Sequence, residues 1–83
     1  MPLFMDIHTL GASVTMDDVA AAHQADLATQ EPHDVSYLRY WVDEPYGRIF
    51  CLVEAPDAEA ANTVHREAHG LVATELHQVQ EGS

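Results

Sequence analysis

A chain of 83 residues has room for one small domain that buries little more than half of its unfolded surface, and little room for an enclosed active site. Three arginines, no lysine and fourteen acidic residues give a net charge of −11, which repels phosphate backbones and anionic lipid, so nucleic acid and membrane-surface partners are excluded first. An apolar content of 47% argues against disorder, and no apolar run is long enough to span a bilayer.

The single Cys51 leaves no intrachain disulfide, and with no apolar signal segment at the N-terminus the expected setting is a reducing cytoplasm. Residues 3–8 read as a first strand: Met5 and Ile7 fall on one side, Asp6 and His8 on the other. Gly11 and Ser13 break it. Thr15 caps a helix whose first turn holds Asp17 and Asp18, whose apolar spacing runs through Val19, His23 and Leu27, and which Pro32 stops. Residues 35–42, rich in aromatic and branched side chains, form a second strand, the Pro45–Gly47 region turns the chain, and residues 48–54 return as a third. Asp57 caps a second helix, with Ala61, Val64, Ala68 and Leu71 as its buried stripe and His65 beside it. Residues 74–80 are the last strand.

This order predicts an α+β, ferredoxin-like βαββαβ sandwich over 1–83, with an antiparallel sheet and two helices on one face. In the register proposed here Asp6 and His8 lie on the other face, where a second copy of the chain would meet the sheet.

The densest chemistry is in Val64-His65-Arg66-Glu67-Ala68-His69-Gly70-Leu71. His65 and His69, four apart, share a helix face and can hold one ion. In the hydrolytic zinc helix a glutamate directly follows the first histidine; here that place is Arg66, and Glu67 lies about 200° around the helix from His65. The pair is therefore a binding clamp and not a hydrolytic centre, unless His65 is simply a satisfied half-buried histidine and His69 a solvated one near the helix end. Two imidazoles need further ligands from water, from acidic side chains or from a second subunit, and such open positions favour Ni2+ over a closed zinc site, with other divalent transition metals also acceptable.

A second cluster is expected from Asp6, His8 and His77, since the first and last strands of this fold are antiparallel neighbours and Asp6 can lie opposite His77. A slip of one residue would move His77 to the other face. His23 with Asp26 and His33 with Asp34 are unspecific pairs, and Cys51 reads as a small hydrophobe packed under the helices. No nucleophile with an adjacent base and no glycine-rich phosphate loop is present.

Residues 1–8, 37–42, 50–56 and 64–71 together resemble the short nickel-binding ferredoxin-like proteins of bacteria, and the likeness runs along nearly the whole chain. Its most specific parts are the strand with Cys51 ahead of Ala55-Pro56 and the helix with His65. The resemblance implies a homodimer of ferredoxin-like subunits that binds Ni2+ and sequesters or buffers it, without catalysis; it does not name the ligands. The competing reading is a dimeric α/β-barrel enzyme or small-molecule binder with an inter-sheet cavity lined by Tyr37, Arg39, Trp41 and Phe50.

Overall fold

A computed structural model describes all residues, 1–83. Its elements are β1 (Leu3–Thr9), α1 (Met16–Thr29), β2 (Ser36–Asp43), β3 (Arg48–Glu54), α2 (Ala58–Ala68) and β4 (Glu75–Val79), with a short 3-10 turn over Glu31–His33. The strands form one antiparallel sheet in the order β2-β3-β1-β4. Both helices pack on one face of it, an α+β arrangement compatible with a ferredoxin-like fold.

The helix starts follow from local chemistry. Thr15 Oγ1 accepts the Asp18 N–H at 3.1 Å, and Asp57 Oδ1 accepts the Ala60 N–H at 2.8 Å, so each cap satisfies one of the N–H groups a first turn leaves free. The β2–β3 turn depends on Gly47. Its φ is +67°, and a Cβ there would stand 1.9 Å from the Ala12 carbonyl oxygen, so the 11–13 loop can lie across the turn only if this residue is glycine. The Leu10 N–H donates to the Gly47 carbonyl at 2.9 Å and ties the two segments together.

Three expectations are corrected. Strand β1 keeps the expected alternation with its faces exchanged: Phe4, Asp6 and His8 are buried beneath the helices, while Met5 and Ile7 lie on the open face. The polar side could turn inward because α1 and α2 bring partners for it. Strand β2 carries a bulge between Tyr37 and Arg39, so Tyr37 pairs with Val53 on the helix side, whereas Arg39 pairs with Leu52 and Trp41 with Phe50 on the open side. Tyr37 is therefore absent from any inter-sheet cavity. On α1 the buried positions are Val19 and Asp26, seven apart, and Leu27 is 38% exposed. The inward stripe contains an acid where an apolar residue was expected.

Val53, Ala55, Ala61 and Val64 are fully buried and form the centre of the apolar core. Asp6, His8, Asp26 and His65 are buried in the same layer. Buried charge of this kind is costly unless it is paired, and the pairing is where the chemistry of this protein lies.

Candidate metal centre

His65 is the hub. It lies in α2 one residue after the fully buried Val64 and is itself only 1% exposed, so it occupies the core and not the edge of the stripe. Helix α2 ends immediately beyond it: the N–H groups of His69 and Gly70 both donate to the His65 carbonyl, at 3.1 and 2.9 Å, and Gly70 takes a positive φ of 83°. These bonds fix the backbone that carries the imidazole.

Both ring nitrogens face carboxylates. His65 Nε2 is 2.8 Å from Asp6 Oδ2, and Nδ1 is 2.9 Å from Asp26 Oδ1. Burial by itself would lower the affinity of this ring for a proton, but the hydrogen bonds to Asp26 and Asp6 and their negative charge outweigh it, and the imidazolium is pushed up to about 9. For Asp6, burial likewise opposes ionisation, and the hydrogen bonds and charge of His65 and His8 hold the carboxyl well below the usual carboxylate range. Tyr37 adds a contact from β2, its hydroxyl standing 3.0 Å from both Asp6 Oδ2 and the Ala61 carbonyl. Having one proton, it can serve only one of them fully.

The other side of Asp6 is less well satisfied. Its Oδ1 is buried without a hydrogen-bond partner; His8 Nε2 is 3.2 Å away, outside good geometry. His8 Nε2 and His65 Nε2 are also 3.2 Å apart, so at least one of the two must present a lone pair to the other. Cys51 completes the group from β3. Burial first, and the Asp6 charge second, push its thiol up, so it stays protonated. One ligand atom from each of Asp6, His8, Cys51 and His65 lies within 4.8 Å of all the others. An orphaned carboxylate oxygen, two converging imidazoles and a thiol form a donor set that fits a late first-row divalent ion.

The comparisons bear on which ion. The family described as nickel responsive protein SCO4226-like matches residues 4–79. The chain belongs to that family. It is also similar to a solved structure described as the crystal structure of SCO4226 from Streptomyces coelicolor A3(2), with a TM-score of 0.90 at 41% identity over 98% of this chain and 99% of that one. A comparison with curated proteins finds no match.

In this member of the nickel responsive family the residues singled out from the sequence are divided. His65 and His69 do lie side by side, with ring centroids 5.0 Å apart, although His69 has already left the helix and caps it. Asp6 and His8 join His65, as neighbours on β1. His77 does not join them, because β1 and β4 pair with Asp6 opposite Leu76 and His77 opposite Met5. That one-residue difference puts His77 on the open face, 57% exposed beside Glu75. His23 does not bond Asp26; it lies against the Tyr40 ring, and burial lowers its proton affinity. Glu67 turns away from the two histidines to His33, 2.9 Å distant, as its angular position on the helix requires.

The residues that sequence reasoning undervalued are Asp26, Cys51 and Tyr37. Cys51 reads from the sequence only as a small core hydrophobe, and the β1–β3 pairing makes it the register partner of Asp6. Asp26 had only the weak signal of its seven-residue spacing from Val19.

Proposed function

We propose that residues 1–83 form a single nickel-binding domain, without catalysis of its own, that sequesters or buffers the ion in the buried group of Asp6, His8, Cys51 and His65. The observation that carries this is the convergence of four ligand atoms within 4.8 Å around an Asp6 Oδ1 that has no hydrogen-bond partner. Electrostatics support it. Two buried carboxylates flank one imidazolium, leaving a negative charge uncompensated in the core, which favours a cation there. Cys51 would lose its proton on binding, as thiols do when they ligate. Donor chemistry alone would accept copper, zinc or cobalt; the family description favours nickel.

We further propose that the open sheet face, with Leu3, Met5, Leu38, Trp41 and Leu52, meets a second copy of the chain. All four inner ligands are on the opposite face, so each subunit holds its own ion.

Calorimetric titration of the whole chain with Ni2+ tests the site. His8→Ala and Cys51→Ala should each weaken binding at least roughly 100-fold, the upper end of what loss of a mere outer partner costs. Undiminished affinity in both variants overturns the assignment.

A further inference from the structure

The two oxygens of Asp6 have unlike surroundings. Oδ1 is buried without a hydrogen-bond partner, whereas Oδ2 has His65 Nε2 at 2.8 Å and the Tyr37 hydroxyl at 3.0 Å. Tyr37 reaches that oxygen from β2, although β3 lies between β2 and β1 in the sheet. Its ring lies against the His65 ring, with centroids 4.4 Å apart, and its N–H donates to Gln30 Oε1 at 2.8 Å. At 3% exposure the phenol is held in place from both its backbone and its ring.

We propose that Tyr37 is a positioning residue of the nickel site: its hydroxyl engages Asp6 Oδ2 so that the carboxylate offers the ion Oδ1 alone, and this one-oxygen grip selects a compact ion such as Ni2+ over a larger one such as Cd2+. The proposal rests on metal binding by Asp6, His8, Cys51 and His65. A ligated nitrogen carries no proton, so an ion on His65 Nε2 removes one of the two donors to Oδ2 and leaves Tyr37 as the other. The tyrosine proton is free for this. Its second acceptor, the Ala61 carbonyl at 3.0 Å, lies inside α2, where it also accepts the helical N–H four residues on and is not orphaned when the hydroxyl turns to Asp6.

Without the hydroxyl, Oδ2 becomes a second buried oxygen whose remaining partner is the ion itself. Both oxygens then grip one ion in a narrow chelate ring, which a large ion of flexible coordination accepts and a small one of strict geometry resists, as the contrast of calcium with magnesium shows. Donor type makes no such choice here, since thiolate and imidazole suit Cd2+ as well. The discrimination lies in how Asp6 is held.

The test uses the whole chain with Ni2+ and Cd2+ as free ions. In Tyr37→Phe, which keeps the ring, Ni2+ affinity should fall about tenfold, the lower end of what loss of an outer partner costs, while Cd2+ affinity holds or rises. Gln30→Ala loosens the same strand and keeps the hydroxyl, and should leave the ratio of the two affinities as it is. Infrared difference spectra on isotope-labelled aspartate, with Asp6→Asn as the blank, should show widely split carboxylate stretches for Ni2+ in the unaltered protein and a narrow splitting for Cd2+ in Tyr37→Phe. Equal losses for both ions in Tyr37→Phe, the same splitting in both proteins, or a shifted ratio in Gln30→Ala overturns the positioning role. A folded Tyr37→Phe that binds neither ion overturns it too, by making Tyr37 a ligand. Undiminished Ni2+ affinity in Asp6→Asn overturns the inner site itself.

Discussion

One imidazole decides how this protein responds to pH. In the metal-free state His65 is held protonated up to about 9, against an ordinary value of 6.5. A base whose folded value is raised stabilises the fold fully below its unfolded value, and that stabilisation is lost as pH rises through the folded one. Urea unfolding of the metal-free chain should therefore weaken between about pH 6.5 and 9, by on the order of 3 kcal/mol, since each tenfold gain in proton affinity on folding is worth about 1.4 kcal/mol. A flat profile across that window would remove the imidazolium from the account. Bound nickel reverses the trend, because the ion competes with the same proton and gains affinity as pH rises.

Among the elements, the boundaries and the inward sides of β3 and α2 were legible in the sequence, and the facing of β1 was not. Thr15, Asp57, Pro32 and the Pro45–Gly47 turn each act through neighbours in the chain, and the corresponding elements begin and end within three residues of where those signals stand. The facing of β1 depends on partners far away in sequence. Phe4, Asp6 and His8 point under the helices because Asp26 and His65 meet them there, which no periodicity within β1 records. Asp26 was hidden for the same reason, an acid on an alanine-rich helix whose apolar side is weakly marked. Gly47 gives the sharpest test at this scale. Gly47→Ala adds left-handed strain of roughly 1–3 kcal/mol and a direct clash with the Ala12 carbonyl, so thermal unfolding should show a loss beyond that range. Gly11→Ala has the same sign of φ and meets nothing within 4 Å, and should cost the strain alone.

At the scale of the whole molecule the sheet separates two tasks. One face and its helices hold the buried polar group; the other presents Leu38 and Trp41, 44% and 47% exposed, beside Met5 and Leu52. No helix is long and apolar enough to cross a membrane. If the open face is where two copies meet, Trp41→Asp should give a monomer by sedimentation velocity while nickel affinity stays within about threefold, because a charge buried at an apolar contact is costly whereas the ligands are untouched. An unaltered protein that already sediments as a monomer would sink this reading.

Strand β2 serves both tasks because it runs in two reading frames. Before the bulge at Leu38 the odd-numbered Tyr37 looks inward; after it the even-numbered Tyr40 and Val42 do, pairing with Cys51 and Ile49. The strand thereby delivers a tyrosine to Asp6 at one end and another to His23 at the other. Excising Leu38 would merge the frames. Tyr37 and Arg39 already pair with the consecutive residues Val53 and Leu52, so the shortened strand would alternate regularly, keep Tyr37, Tyr40 and Val42 inward, and lose only the exposed Leu38 from the outer face.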